Sequence, residues 1–274
     1  AAKAAPGGKG LERRACYWDQ QTPRRNSGWP DMEVVVRPCK SEASWLAARL
    51  IAAAIQAKPS LVLGLATGRT MERLYAKLVQ MHREEGLDFS LVRTFNLDEY
   101  IGLTPDDANS YRYYMNHHLF DHINIDKRNT HLPNGMTQDE GGEGARYEAA
   151  ISEAGGVDLQ LLGVGRAGHI GFNEPLSALQ SRTRAKALTP LTIAENSGEF
   201  DDPDRIPRRA ITMGVGTILE AKRLLMLVTG ESKAEILAKA VEGPITSMVS
   251  ATAIQLHPNV QVVCDDEAAS SLSG

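Results

Sequence analysis

Short apolar runs alternate along the chain with longer segments of helical periodicity. The runs favour β-strands because each is only about four to six residues long and is rich in apolar side chains. Predicted strands cover residues 33–36, 61–65, 92–97, 159–162, 210–213, 224–229 and 260–264. Predicted helices cover residues 41–58, 70–85, 110–120, 143–154, 216–221 and 233–241. Ser41 is the expected N-cap of the first of these helices.

The alternation of strands and helices predicts an α/β fold. Strands that are apolar on both faces are typical of a mostly parallel, Rossmann-like sheet with helices covering both faces. No internal repeat and no Pro/Ser-rich linker interrupts the pattern, so we expect a single domain over residues 32–274. Residues 1–31 are rich in Ala, Gly, Lys and Arg and lack this periodicity, which predicts a flexible or loosely packed extension.

The fold class indicates where a ligand binds before any motif is considered. In open parallel sheets, ligands occupy the crevice beyond the carboxyl ends of the strands. Four segments follow predicted strand ends and become the candidate site: residues 66–70, 98–99, 163–174 and 230–233.

The first of these segments reads ATGRT and joins a strand directly to a helix. Backbone N–H groups at the helix N-terminus, with the hydroxyls of Thr67 and Thr70 around Gly68, form a ready site for an anion. Arg69 adds a charge suited to a phosphate group. An ordinary tight turn has the same composition, and the loop matches neither a P-loop nor a GxGxxG motif.

The second segment carries two adjacent acids, Asp98 and Glu99, directly after an apolar strand. We expect at least one of them to point into the crevice, where partial burial raises the pKa of a carboxyl group enough for it to act as a base. A capping aspartate beside a solvated glutamate is the commoner explanation of such a pair. The position of the pair at a strand end favours the catalytic explanation.

The third segment, GVGRAGHIGFNEP, places His169 among glycines after a buried strand, with Glu174 close enough to orient its ring. A lone histidine is more often structural, but this setting favours acid–base catalysis. Three other histidines, at positions 117, 118 and 122, have no acidic cluster beside them and are interpreted as surface or packing residues.

The fourth segment places Lys233 in the first turn of a predicted helix, after Gly230. A lysine there opposes the helix dipole unless an anion binds at the same end. We therefore expect a second phosphate contact, although a solvated lysine is the simpler alternative.

Composition narrows the class of protein. The 274 residues contain 42% apolar side chains and carry a formal net charge of −4, so a nucleic-acid partner is not expected. The three cysteines, Cys16, Cys39 and Cys264, lie far apart, which argues against disulfides and zinc. No apolar run has the length of a membrane span, and no signal peptide is recognisable. The expectation is a cytoplasmic protein that does not bind membranes.

Taken in order, these segments resemble the glucosamine-6-phosphate deaminase (isomerase) family. The resemblance runs from about residue 61 to residue 266 and includes five further motifs. They are TFNLDEYIGL at 94–103, SYRYYMNHHLF at 110–120, SRTRAKAL at 181–188, ITMGVGTIL at 211–219 and IQLHP at 254–258. The related 6-phosphogluconolactonases share the Gly-His step, but the NEP that follows the histidine fits the deaminases better.

The resemblance implies conversion of glucosamine 6-phosphate to fructose 6-phosphate and ammonia by general acid–base catalysis. It implies ring opening by His169, oriented by Glu174, and proton transfer between C2 and C1 by Asp98. The Thr67–Gly68 turn and Lys233 would hold the 6-phosphate. We expect no metal or organic cofactor, a small-molecule sugar phosphate as the partner, and assembly into a homo-oligomer. We class the enzyme as a hydrolase acting on an amino-sugar phosphate.

Two departures from the family pattern leave alternatives open. Ala167 stands where the family usually has an aspartate two residues before the histidine, and Gly198 aligns with an arginine of the family's lid. Arg69, in place of the usual glycine, restores one positive charge. The alternatives are a sugar-phosphate-binding protein with reduced or no turnover, and an isomerase or 6-phosphogluconolactonase-like hydrolase for another phosphorylated sugar.

Overall fold

The computed structural model describes residues 31–200, 202 and 205–273. The predicted N-terminal extension lies outside the described residues, except for its last position, which begins the first strand. The ten strands in this part of the chain are β1 (Asp31–Arg37), β2 (Val62–Leu65), β3 (Arg93–Asn96), β4 (Asp98–Tyr100), β5 (Thr130–His131), β6 (Leu159–Leu162), β7 (Arg184–Ala187), β8 (Arg209–Thr212), β9 (Leu224–Val228) and β10 (Asn259–Asp265). The eight α-helices described are α1 (Lys40–Ala57), α2 (Arg69–Glu85), α3 (Tyr111–His118), α4 (Glu140–Glu153), α5 (Pro190–Asn196), α6 (Val215–Leu219), α7 (Ala234–Glu242) and α8 (Asp266–Ala269).

A seven-stranded sheet forms the centre of the fold, in the order β1-β10-β9-β6-β2-β3-β5, with every pair parallel. The chain moves outward from β2 through β3 to β5, then returns to β6 and continues the other way through β9 to β10. The direction therefore reverses between β2 and β6, and ligands bind beyond the strand ends at such a reversal. The predicted α/β class with a mostly parallel sheet is confirmed.

The helices form because their apolar residues recur on one face, and that face covers the sheet. Helix α1 buries mainly alanine and isoleucine, which allows it to pack closely against both the sheet and α2. Helix α2 ends at Gly86, which adopts the left-handed conformation that a glycine accepts without strain. The prediction of Ser41 as N-cap is wrong. Helix α1 starts one residue earlier, and Cys39 occupies the cap position without a side-chain hydrogen bond.

A second, antiparallel sheet of three short strands, in the order β4-β8-β7, stands beside the strand ends of the main sheet. Its strand β4 begins only one residue after β3 ends, so a change of direction at Leu97 carries Asp98 from one sheet to the other. A small apolar cluster underlies this sheet and α5: Tyr100, Leu103, Phe172, Leu188, Phe200 and Ala210.

None of the helices in the described ranges combines the length and the apolar character that crossing a lipid bilayer requires.

Candidate active site

A cavity of about 720 Å³ opens at the reversal point of the main sheet. The loops that follow β2, β3, β6 and β9 form its walls, and α5 contributes a further side. Seven residues that the sequence singled out line it: Thr67, Gly68, Arg69, Thr70, Asp98, His169 and Lys233. The structure thus brings together four segments that are widely separated in sequence.

One end of the cavity is built from the loop between β2 and α2. Gly68 has φ of 112°, a left-handed conformation that favours glycine, and it occupies the N-cap position of the 17-residue helix α2. The Tyr114 hydroxyl donates to the Gly68 carbonyl oxygen at 2.9 Å and fixes the loop from the side of α3. The N-terminus of α2 therefore faces the cavity with its positive dipole end.

Two cationic side chains accompany this helix end. The Lys233 ammonium donates to the carbonyl oxygen of Val164 at 2.9 Å, which holds the lysine against the loop after β6. Lys233 closes the short 3₁₀ turn Glu231–Lys233 and sits at the N-cap position of α7, one residue before the helix. Arg69 extends toward Gly198, where a Cβ atom would lie 4.0 Å from the arginine Nη2.

The two adjacent acids diverge, and only Asp98 enters the cavity. Its side chain is buried, and its Oδ2 would lie 3.3 Å from a Cβ placed on Gly171 of the histidine loop. Burial raises the pKa of Asp98 to about 8, and the neighbouring negative charge of Glu99 adds to the rise. A carboxyl group with this pKa can both take up and release a proton near neutral pH.

Glu99 instead anchors the start of α3. Its carboxylate accepts from the backbone N–H groups of Tyr111 and Arg112 at 2.9 Å each, and from that of Tyr100 at the same distance. Burial raises the pKa of Glu99 to about 6, against the lowering effect of these three donors. The expectation that at least one acid points into the crevice holds for Asp98, and Glu99 is structural.

His169 lines the cavity, and Glu174 lies behind it. The His169 Nδ1 and Glu174 Oε2 atoms are 3.5 Å apart, and both side chains are almost fully buried. Gly165 must be a glycine here, because a Cβ on it would lie 2.2 Å from the His169 Nε2. Ala167 lies in the turn that Gly168 N–H closes by donating to the Gly165 carbonyl oxygen at 2.9 Å.

The structure adds residues that the sequence did not single out. Thr192, Ala194 and Asn196 of α5 line the cavity. Asn173, from the NEP motif, is fully buried and donates through Nδ2 to the carbonyl oxygens of Ile170 and Met213. The Thr-Pro pair at the start of α5 was a usable signal for this helix, because threonine is a good N-cap and proline is common at the first helical position.

The three histidines around α3 lie outside the cavity lining. His117 stacks on Tyr113, His118 packs against Tyr114, and the His122 Nε2 lies 2.8 Å from the His117 carbonyl oxygen. Within the described part of the chain, no group of three or more His, Cys, Asp or Glu side chains is placed to hold a metal ion.

Comparison with known proteins places the chain among sugar-phosphate enzymes. A family model described as glucosamine-6-phosphate isomerases/6-phosphogluconolactonase matches residues 39–263. The chain is 46% identical over 239 residues to the glucosamine-6-phosphate deaminase of Thermoanaerobacter pseudethanolicus, covering 87% of this chain and 94% of that one. It is 49% identical over 241 residues to the deaminase of Hahella chejuensis, covering 88% and 92%.

The fold also matches those of solved structures. The fold matches that of a monomeric glucosamine-6-phosphate deaminase with a TM-score of 0.85 and 45% identity, over 87% of this chain and 99% of that one. The 6-phosphogluconolactonase of Trypanosoma cruzi matches with a TM-score of 0.73 at 20% identity, over 90% and 99%, which shows a common fold alone.

The expected hydrolase class is wrong. The matching family model describes isomerases beside the lactonases, and the curated relatives at 46–49% identity are deaminases. An isomerase site serves proton transfer between carbon atoms. On the family model and these relatives together, the chain belongs to the family of glucosamine-6-phosphate isomerases and 6-phosphogluconolactonases.

Proposed function

We propose that this protein isomerises and deaminates glucosamine 6-phosphate, giving fructose 6-phosphate and ammonia. The observation that carries the proposal is the placement of Asp98 and His169 on one cavity, which the N-terminus of α2, Arg69 and Lys233 also line. The pKa of about 8 for Asp98 suits a group that takes a proton from carbon and returns it.

The phosphate end fixes the position of the sugar. The N-terminus of α2 supplies backbone N–H groups and a positive dipole end to the phosphate. Lys233 and Arg69 add charge, and Thr67 and Thr70 add hydroxyl donors. A bound 6-phosphate then determines which carbon atoms reach Asp98, and this positioning supplies part of the rate.

Ring opening is the proposed task of His169. The imidazole passes a proton between the C1 hydroxyl and the ring oxygen, so that the C1–O5 bond breaks and the aldehyde forms. Glu174 holds the ring from its Nδ1 side and stabilises the imidazolium that appears during the transfer.

Asp98 then acts on the open chain. Its carboxylate removes the proton from C2, the electron pair forms a C1–C2 double bond, and the C1 carbonyl oxygen takes up a proton to become a hydroxyl. Asp98, whose proton exchanges with solvent, then delivers a proton to C1. As C1 takes up this proton, the amine at C2 becomes an iminium, and C2 then adds a water molecule. Ammonia leaves together with the proton that replaces the one bound by the C1 oxygen, and the ketose remains. The overall reaction consumes one glucosamine 6-phosphate and one water molecule and gives one fructose 6-phosphate and one ammonia.

Ammonia release from glucosamine 6-phosphate tests the proposal. We expect ammonia and fructose 6-phosphate in equal amounts, and no comparable turnover of 6-phosphogluconolactone. Binding of the sugar phosphate without any ammonia at high enzyme concentration would reject deamination, and rapid lactone hydrolysis would favour the other branch of the family.

Arg69 is expected to supply the positive charge that binds the phosphate. By the family resemblance, an arginine at the position of Gly198 would otherwise supply it. Because a charge-assisted contact to phosphate contributes about 1.5–3 kcal/mol, we expect R69A to raise KM about tenfold or more. The double variant R69A/G198R should recover most of this loss, since a side chain at residue 198 starts 4.0 Å from the arginine Nη2. Steady-state kinetics with glucosamine 6-phosphate measures both effects.

Arg73 provides the matched control for this test. It lies on the exposed face of the same helix, outside the cavity lining. R73A should therefore leave KM unchanged. Equal KM values for R69A and the wild type would remove Arg69 from the phosphate site.

A second candidate function, binding of a sugar phosphate without turnover, is motivated by Ala167. We expect A167D to raise kcat about tenfold with little change in KM, because a second carboxylate near the imidazole stabilises its cation in the transition state. An inactive parent that gains turnover in A167D would establish the binding role. An unchanged kcat would show that the reaction proceeds without this carboxylate.

Assembly into a homo-oligomer and a cytoplasmic location stay predictions from the family resemblance and the composition. The structurally related deaminase is described as monomeric. Sedimentation velocity of the full chain decides between the two states.

A further inference from the structure

Helix α5 lines the cavity and is held by side-chain hydrogen bonds at both ends. At its C-terminal end, Asn196 Nδ2 donates to the Tyr100 hydroxyl at 2.8 Å, and Tyr100 belongs to the strand that carries Asp98. At its N-terminal end, Thr189 contacts Glu174, the partner of His169. The helix between these two contacts lines the cavity.

The contact at the N-terminal end is double. Both the backbone N–H and the Oγ1 hydroxyl of Thr189 donate to Glu174 Oε1, at 3.1 Å and 3.2 Å. The same hydroxyl oxygen accepts from the backbone N–H of Thr192 at 3.3 Å and so caps α5. Thr189 therefore both caps the start of the helix and holds the Glu174 carboxylate.

The hydroxyl has a single proton and two acceptors within reach. The alternative acceptor is Thr192 Oγ1, 3.3 Å away. A charged acceptor forms the stronger hydrogen bond, so the proton goes to Glu174 when its carboxylate is ionised.

Holding one carboxylate oxygen determines where the other one points. With Oε1 fixed by Thr189, Oε2 is directed at His169 Nδ1, 3.5 Å away, and both side chains are buried. The negative charge beside Nδ1 favours the neutral tautomer that carries its proton on that nitrogen, and the other nitrogen then exchanges protons.

We propose that Thr189 is a positioning residue that couples α5 to the His169–Glu174 pair. It acts through Glu174 and sets the tautomer of the histidine, while α5 closes one side of the cavity. The inference rests on the proposed role of His169 in ring opening. It gives the helix a function beyond enclosing the sugar, because the residue that starts the helix also orders the acid–base pair.

The test uses the full chain and three substitutions. T189V keeps the shape and the backbone donor but removes the hydroxyl, whereas T189S keeps the hydroxyl. Because the lost contact is a hydrogen bond to a charged group, we expect T189V to lower kcat about tenfold or more and T189S to stay within about threefold of the wild type. D139A removes the N-cap of α4, which is exposed and away from the cavity, and should leave kcat unchanged.

Binding of an open-chain substrate analogue, the amino-alditol 6-phosphate, distinguishes the positioning role of Thr189 from a merely structural one. Its inhibition constant should stay within about twofold in T189V, because the analogue needs no ring opening and the cavity is intact. A parallel loss of kcat and analogue affinity, wild-type kcat in T189V, or failure of T189S to restore kcat would each overturn the proposal.

A second readout does not depend on turnover. The ¹⁵N shifts of the His169 imidazole, assigned by their loss in H169Q, report which nitrogen carries the proton. We expect the Nδ1–H form in the wild type and T189S, and an increased Nε2–H form in T189V. Absence of ammonia release by the wild type would refute the proposed function, and the tautomer would still decide the role of Thr189, because an unchanged tautomer in T189V would overturn it.

Discussion

Replacement of Asp98 by asparagine is expected to lower kcat for deamination about a thousandfold or more, because the amide cannot take the C2 proton. KM should change little, since the phosphate end of the cavity is untouched. The loss should be largest in the proton-transfer step, so exchange of the C1 proton of fructose 6-phosphate with solvent should stop as well. Steady-state kinetics and proton NMR measure the two effects.

The neighbouring acid supplies the control. E99Q removes a charge one residue away from Asp98, in a side chain that anchors α3 and lies outside the cavity lining. It should lower the melting temperature and keep kcat within about tenfold of the wild type, an effect much smaller than that of a general base. A D98N variant with near-normal kcat would remove Asp98 from the mechanism.

The pKa of Asp98 also sets the pH dependence that accompanies this prediction. The base must be ionised, and the pKa of about 8 in the free protein means that kcat/KM rises with pH until about 8. The free energy of unfolding changes with pH in the opposite direction. The folded protein binds more protons than the unfolded chain between about pH 4 and pH 8, so stability falls as pH rises through this window. D98N should remove the contribution of Asp98 to that fall and leave only the smaller one of Glu99, whose pKa is raised to about 6, and an equal pH slope in both proteins would contradict it.

The second large effect is expected for His169. H169Q should lower kcat about a hundredfold or more, because glutamine cannot shuttle a proton between the ring oxygen and the C1 hydroxyl. The affinity for the open-chain amino-alditol 6-phosphate should be nearly unchanged, since that molecule has no ring to open. Parallel measurement of kcat and of the inhibition constant separates the two.

His117 is the matched control for this substitution. It is exposed on α3 and lies outside the cavity lining. H117Q should therefore show wild-type kinetics. If H169Q retained wild-type kcat, ring opening would have to occur without this imidazole.

The sequence predicted the main sheet because each of its longer strands carries its own signal. The run that forms β9, Leu224–Val228, is buried at every position, and a continuous apolar run of that length is typical of a strand covered on both faces. The short edge strand β5, with two residues, carries no such signal. The site followed from the same reasoning, since the strand ends of a parallel sheet meet at one edge.

The small antiparallel sheet could not be predicted in the same way. Strand β7 reads RAKA and none of its residues is buried, so its strand conformation depends on pairing with β8 rather than on its own composition. The register of β4 against β8 also decides which acid enters the cavity, because side chains alternate along a strand. The strand pattern alone left Asp98 and Glu99 equivalent, and only the family resemblance favoured Asp98.

Helix α5 was missed because it is only seven residues long and begins in a polar stretch. Its role depends on the contacts of Thr189 and Asn196 with residues 15 and 96 positions away, which no local pattern reveals. The catalytic and binding roles of the cavity residues stay predictions until the variants are measured.

The most direct test of the central claim is the reaction of unlabelled glucosamine 6-phosphate with the wild-type protein in D₂O, followed by NMR. Deamination through proton transfer by Asp98 predicts equal amounts of ammonium and fructose 6-phosphate, with solvent deuterium at C1 of the product. D98N should form both products more slowly by about a thousandfold or more. A bound but unchanged sugar phosphate, or ammonium formed equally fast by D98N, would contradict the account.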